Sequence, residues 1–421
     1  MKTLEIKKGI KLHLIKTDKF KTNLVSVFLT TPLNKNTVTQ NALIPAVLRR
    51  GCSKIQTQSE IDKILEEMYG ASFDCGIDKI GDNQVIKFYL ESINNKYIPK
   101  GEDNLEKSLN LIFDIVFNPL VENHSFKKEY IQSEKNNLKQ IIEGRKDSKA
   151  KYALERCIEE MYGEESYSLY KYGKTEALRD INESNLIEQY IKLIKNCKID
   201  IYISGDVDED VKEKIIENDN IRNLKERIPE YIENNIDIRK KEKIKEKQIE
   251  EKMDVTQGKL IIGLDILNEN INDKYTALVY NAILGGTPNS KMFQNVREKE
   301  SLAYTASSSY LRQKANIFIR CGIEIENFEK ATKLIKEQID DMEKGKFTEE
   351  DINQAKVNII STIKMLPEEQ DTELVYYFSQ ELSGYEMGYQ EYINKINSVT
   401  MKDIVNLAKR IQINTIYFLR N

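Results

Sequence analysis

The order of strand-like and helix-like segments runs through the chain twice, and this repetition constrains the fold more than any single residue does. In the first half, apolar/polar alternation marks two strands within residues 10–29, on either side of a polar break at 17–22. Apolar residues at helical spacing follow over 41–48 and 59–68, then two strand-like runs over 71–78 and 84–92, then helical patterns over 104–117 and 125–145. A Tyr-rich irregular stretch, a helix over 182–193 and a strand over 198–206 complete this half. The second half restarts with a strand over 259–264, helices over 273–284 and 290–299, strands over 303–311 and 317–325, and helices over 327–342 and 349–364. The spacing predicts an internal duplication with a period near 230 residues. Strands mixed with helices in this order predict an α+β chain of two homologous domains, each a mixed sheet packed with helices.

Between the halves, residues 239–252 hold eleven charged residues in fourteen, seven basic and four acidic, which is 7 − 4 = +3. So little apolar material predicts neither a core helix nor a core strand, and the stretch reads as a solvated connector that could serve as a hinge. The expected boundaries are 1–218 for the first domain, 219–252 for the linker and 253–421 for the second domain.

Charge and histidine usage exclude whole classes of function. The net charge is −4, with 64 basic and 68 acidic residues interspersed, so there is no positive field to neutralise phosphates and nucleic acid is not an expected partner. Only His13 and His124 exist, so a metal site built from two closely spaced imidazoles cannot form in this chain. His13 lies in a strand and His124 in a polar connection, and both read as structural. The five cysteines are odd in number and lack a Cys-x-x-Cys pair, which predicts reduced, mostly buried thiols rather than disulfides. Residues 1–8 lack the apolar core of a signal peptide and no uncharged run reaches 18 residues, so the expectation is a cytoplasmic protein without a membrane partner.

Several strings narrow the reading. Domain 1 carries Gly51, then Leu65-Glu66-Glu67-Met68-Tyr69-Gly70-Ala71-Ser72-Phe73, the stretch 167–177, and Ile203-Ser204-Gly205-Asp206-Val207. Domain 2 carries Leu284-Gly285-Gly286-Thr287-Pro288-Asn289-Ser290-Lys291-Met292-Phe293, followed by Val296-Arg297-Glu298-Lys299-Glu300-Ser301-Leu302-Ala303-Tyr304. Together they resemble the insulinase-like family of zinc metallopeptidases, specifically the bacterial two-domain type related to mitochondrial processing peptidase. The resemblance spans essentially the whole chain and implies a LuxS-like metallohydrolase fold in each half. Among bacterial subgroups it is similar to the one associated with aminopentanol modification of elongation factor P.

The departures from the family pattern matter as much as the matches. Active members carry His-x-x-Glu-His beginning nine residues before the glycine equivalent to Gly51, which puts Ala42 and Ala46 at the two histidines and Pro45 at the glutamate. The family's third ligand, a later glutamate, aligns with Ile141. Zinc needs imidazole, thiolate or carboxylate donors, and activation of its water needs a general base. The resemblance therefore implies no zinc in this chain and no peptide hydrolysis by it alone.

Arg297 and Tyr304 match the family's substrate-closing Arg/Tyr pair. A guanidinium can hold peptide carbonyls through several N–H donors, and a phenolic hydroxyl can donate to a developing oxyanion. The expectation is a zinc-free subunit of a heterodimeric peptidase, acting in trans on a peptide or small-protein substrate beside a partner that carries zinc and an intact His-x-x-Glu-His. The alternative is an inactive peptide-binding or scaffold protein, a homodimer or the core subunit of a complex. Ser301 stands where many relatives have glycine, which bears on the turn between the two residues. Gly285-Gly286 reads as helix termination and close backbone approach rather than a nucleotide turn.

Overall fold

The computed structural model describes residues 1–208, 210–233, 241–268, 270 and 272–421. In chain order the elements are β1 (Lys2–Lys7), β2 (Ile10–Lys16), β3 (Thr22–Pro32), α1 (Val38–Leu48), α2 (Gln58–Glu67), β4 (Ser72–Ile80), β5 (Asn83–Ile93), α3 (Asn104–Phe117), α4 (Lys128–Glu143), α5 (Lys149–Tyr162), α6 (Glu183–Asn196), β6 (Lys198–Gly205), α7 (Val211–Glu217) and α8 (Asp219–Asn223). They continue with β7 (Lys247–Lys252), β8 (Gly258–Ile266), α9 (Asp273–Asn281), β9 (Ala303–Leu311), β10 (Asn316–Ile323), α10 (Phe328–Glu343), α11 (Glu349–Met365), α12 (Gln370–Glu381), α13 (Tyr389–Asn397), α14 (Met401–Ala408) and β11 (Ile411–Arg420). Two π-helical turns, Ala282–Gly286 and Met292–Lys299, follow α9.

The chain divides into two compact units. The first comprises Met1–Gly144, Leu169–Ile232 and Glu368–Phe378, and the second Arg145–Ser168, Glu233–Pro367 and Ser379–Asn421.

In the first unit a six-stranded sheet runs in the order β1-β2-β6-β3-β5-β4, with β2 and β6 parallel and the other pairs antiparallel. Alternate residues serve alternate faces. Ile10 and Leu12, Val25, Val27 and Leu29, Ile86, Phe88 and Leu90, and Ile199, Ile201 and Ile203 join a core with α1, α3 and α6. The opposite face presents His13, Phe28, Asp200 and Tyr202, all buried. Part of α12 lies on it: Phe378 meets Phe28 edge-on at 4.6 Å, and Gln370 donates to Ser204 O and accepts from Thr22 Oγ1, both at 3.0 Å. His13 is held in this layer, its Nε2 3.0 Å from Asp200 Oδ1 and its ring stacked on Tyr202 at 4.2 Å.

The second unit's sheet runs β7-β11-β8-β10-β9, with β7 and β11 parallel and the rest antiparallel. These five strands take the places of β2, β6, β3, β5 and β4, with the parallel pair in the same position. The offsets between matching strands, 303 − 72 = 231 and 316 − 83 = 233, agree with the period read from the sequence. One face of this sheet packs on α9, α10 and α14; the other, through Ile261, Phe318, Tyr417 and Leu419, packs on Tyr152, Cys157 and Met161 of α5.

Two features differ from the sequence reading. The units are not the contiguous spans 1–218 and 253–421, because each includes a helix from the other half of the chain: α5 belongs to the second unit and Glu368–Phe378 to the first. Helices adjacent in sequence cover one face of each sheet, and the apolar residues of its second face need a further cover. The other difference concerns the charged stretch. Of residues 239–252, those at 239–240 lie outside the described residues, so the hinge expectation there is not addressed, but Lys247–Lys252 is strand β7, not connector. Its inward side chains explain this. Ile249 packs on the α5 cluster, and Glu251 accepts hydroxyl hydrogen bonds from Tyr152 and Tyr417, both at 2.7 Å, with Arg156 Nε at 2.9 Å. A strand at a sheet edge with one side satisfied by a carboxylate network does not need apolar alternation. Glu159 and Glu160 pair with Arg156 in the same network.

All five cysteines are unpaired thiols and all but Cys75 are buried. Among the described residues no helix is long and apolar enough to cross a membrane.

Candidate functional site

The sequence-predicted residues fall in two places, one in each unit. In the first unit, α1 is a core helix with nine of its eleven residues buried. Ala42 and Pro45 are among them, with Ala42 only 5% exposed, and Ala46 is half-buried. Pro45 lies inside the helix, where it has no N–H to offer the Asn41 carbonyl. The Asn41 side chain is tied down instead, donating to Gln84 Oε1 at 3.1 Å and accepting from Gln189 at 2.8 Å. Ile141 lies on α4, seven residues after Glu134 and so on the same helical face, and is 48% exposed.

None of Ala42, Pro45, Ala46 and Ile141 offers a donor atom to zinc. The nearby groups that might do so are committed elsewhere. Glu134 is buried and accepts from Arg50 Nε at 2.6 Å and Asn137 Nδ2 at 3.0 Å. The Cys75 thiol points at the Pro45 carbonyl, 3.5 Å away, and burial pushes it up to about 12, far from a thiolate ligand. No cluster of three metal-ligating side chains exists among the described residues. These residues do not fit a catalytic zinc ion.

The second place is the corner leading into edge strand β9. Gly285 and Gly286 end a π-helical turn, and a Cβ on Gly285 would lie 2.7 Å from the Ser308 backbone N, so the close approach expected of this pair is present. The chain then winds as a second π-helical turn, anchored by buried Met292 and Val296, which carries Arg297. Single π turns are rare and concentrate at functional sites. Arg297 is 43% exposed, lies over the Phe293 ring at 4.5 Å, and among the described residues has a loose ion pair to Glu298 at 3.6 Å as its one charged contact. The side chain is thus partly in solvent, with its guanidinium held loosely.

Ser301 takes the left-handed conformation, φ +51°, which a glycine adopts without strain, so the turn between Arg297 and Tyr304 forms with serine in place. Leu302 N–H donates to Val296 O at 3.1 Å and closes the turn. Tyr304 then stands on β9, which packs against the π-helical turn of Arg297. It is 62% exposed, and its hydroxyl donates to Glu324 Oε1 at 2.6 Å. That hydrogen bond, together with the carboxylate charge, raises the phenol above its ordinary value and keeps it protonated. Glu324, which follows β10, had no signal in the sequence: one glutamate among many charged residues reveals a partner only once β9 and β10 are paired.

Comparison with known proteins follows the same lines. Residues 180–359 match the family model described as the peptidase M16 inactive domain. A relative from Bacillus subtilis, named a probable inactive metalloprotease, YmfF, is 36% identical over 413 residues, covering 98% of this chain and 96% of its own length. A crystal structure of a conserved protein from Enterococcus faecalis superposes with a TM-score of 0.89 at 27% identity, covering 100% of this chain and 98% of that one. The peptidase M16 inactive domain structure from Pseudomonas fluorescens superposes with a TM-score of 0.80 at 17% identity, covering 100% and 98%.

Proposed function

The chain belongs to the peptidase M16 family as one of its inactive members, and from that premise we propose that it is the zinc-free subunit of a two-chain peptidase. In this reading a second family member with an intact His-x-x-Glu-His supplies zinc and the general base, and this chain supplies Arg297 and Tyr304 in trans. Arg297 grips carbonyls of a peptide or small-protein substrate, and the Tyr304 hydroxyl donates to the oxyanion formed when water attacks the scissile carbonyl. No metal step runs through this chain, because the positions aligned with the zinc site carry no donors.

One observation carries the proposal. Ala42 and Pro45 are folded into the core at α1, while Arg297 and Tyr304 stay exposed on a π-helical turn and an edge strand. Five unpaired thiols support a reducing compartment such as the cytoplasm.

A second reading, a peptide-binding or scaffold homodimer, draws on the hydrogen bond that already occupies the Tyr304 hydroxyl. Capture of the tagged protein from its own cells, followed by zinc analysis, separates the two. The peptidase reading expects a second family chain to co-purify, metal in the complex only, and cleavage of a quenched-fluorescent peptide by the complex. With that complex, Tyr304→Phe should lower kcat about 100-fold, the usual cost of one oxyanion donor. A zinc-free homodimer, or a complex whose kcat ignores Tyr304→Phe, would replace it with the scaffold reading.

A further inference from the structure

Proton donation alone does not account for the way Tyr304 is held. Its ring stands on an edge strand, largely in solvent, where a tyrosine is ordinarily free to rotate. Its hydroxyl hydrogen bond to Glu324 restrains it, and the pairing of β9 with β10 sets where the side chain leaves the strand. Ala303 pairs with Ile323 and Thr305 with Gly322, leaving Tyr304 as the unpaired extra residue of a β-bulge. Two neighbours maintain the bulge. Thr305 Oγ1 accepts the Gly322 N–H at 3.2 Å, and a Cβ on Gly322 would crowd that hydroxyl, lying 3.0 Å from Thr305 Oγ1, and would displace the end of the Gln257 side chain. The bulge re-aims Tyr304 toward the end of the neighbouring strand, where exposed Glu324 accepts its hydroxyl.

We propose that Glu324 is the positioning residue for Tyr304, holding the phenol at the edge of β9 until a peptide carbonyl takes over its hydrogen bond. The proposal rests on the in-trans role of Tyr304 given above. A donor already oriented loses less rotational freedom when the oxyanion forms, and this is the gain that preorganised donors provide. The negative neighbour also disfavours the phenolate, so the group that meets the substrate still carries its proton. The proton stays on the phenol throughout: one hydrogen bond is exchanged for another and no covalent bond changes.

Two substitutions and two readouts test this. In the complex with the zinc-bearing subunit and a quenched-fluorescent peptide, Glu324→Ala should lower kcat about tenfold with KM nearly unchanged. Glu324→Gln, whose amide oxygen still accepts from the phenol, should restore most of that loss. In the isolated chain, ¹³C-labelled tyrosine NMR with Tyr304→Phe as the assignment control should show the Tyr304 titration moving to lower pH in both variants. Glu324 is exposed, so neither change threatens folding. Wild-type kcat in Glu324→Ala beside an impaired Tyr304→Phe overturns the positioning role and leaves the in-trans reading intact. Equal losses in the Ala and Gln variants also overturn it, because charge rather than geometry would then matter. Wild-type kcat in Tyr304→Phe brings down the in-trans reading, and with it this proposal.

Discussion

The same corner of the fold occurs once in each unit, and the two copies are built differently. In the first unit α2 is a regular helix closed by a reciprocal capping box between Thr57 and Glu60, and β4 pairs with β5 in unbroken register from Ser72 opposite Glu91 to Ile80 opposite Asn83. In the second unit the matching helix is π-wound without a side-chain cap, and the matching edge strand, β9, is bulged at Tyr304. Both corners turn through left-handed backbone, at Tyr69 and Gly70 in one and at Ser301 in the other, so the turn itself is not the difference. The difference lies in helix winding and strand register, and it appears where Arg297 and Tyr304 project. A duplicated fold can make this corner regular, as the first copy shows, and the irregular copy is the one that carries Arg297 and Tyr304.

The comparison breaks most severely if the two copies fold independently. Residues 253–421 produced alone lack α5, which leaves Ile261, Phe318, Tyr417 and Leu419 uncovered. At roughly 1.5–3 kcal/mol for each large side chain left exposed, the loss is comparable to the whole stability of a typical domain, about 5–15 kcal/mol. Calorimetry should find no cooperative transition in this fragment; a soluble fragment melting in one sharp step would show that α5 is dispensable.

Placing histidine at two of the lost zinc positions, one buried and one exposed, sharpens the contrast within the first unit. Ala42→His puts a large polar ring into the packed core of α1 and should cost about 3 kcal/mol, through overpacking and an unpaired polar group. Ile141→His, on the exposed face of α4, should change stability by less than about 0.5 kcal/mol. Urea denaturation measures both, and a mild Ala42→His would mean that α1 still has room for a ligand.

Acid should act on the first unit through Asp200. Burial alone would raise its carboxyl, but the Lys198 ammonium, with Nζ at 2.6 and 2.7 Å, and the His13 ring outweigh it and bring it down to about 2. Against an unfolded value of about 3.9, a depressed folded value means stability that is present above pH ~4 and lost as pH falls toward 2, worth about 2–3 kcal/mol. Asp200→Asn should flatten this part of the stability curve; an unchanged acid limb would assign acid sensitivity elsewhere.

A modest effect is expected at Ser301. Its left-handed backbone costs about 1 kcal/mol in an L-residue, so Ser301→Gly should raise the melting midpoint slightly, while Ser301→Val should lower it by more. A Gly variant no more stable than the parent would mean that the serine side chain offsets the strain.

Much of this fold was legible from periodicity. The expected strands over 71–78, 84–92 and 303–311 correspond to β4, β5 and β9, and the helix expected over 104–117 is α3 residue for residue. Strand β7 escaped because its inward positions are Ile249 and Glu251, and a carboxylate facing tyrosine hydroxyls leaves no apolar signature. The duplication itself held the missing clue, since β7 occupies in the second sheet the place that β2 occupies in the first. Helix α5 escaped for a different reason: its covering role depends on a sheet whose strands begin a hundred residues later.

The candidate site divides in the same way. The absence of zinc donors at Ala42, Pro45, Ala46 and Ile141, the presence of Arg297 and Tyr304, and the doubling of the fold are properties of residue identity and spacing, and the chain states them before it folds. Which half covers which sheet face, that Ser301 turns left-handed, and that Glu324 holds Tyr304 at a bulge were decided only by tertiary structure. Local patterns report which side of an element is apolar; they carry no record of partners brought together by strand pairing between distant segments, where a hydrogen bond or a covering helix depends on register rather than on composition.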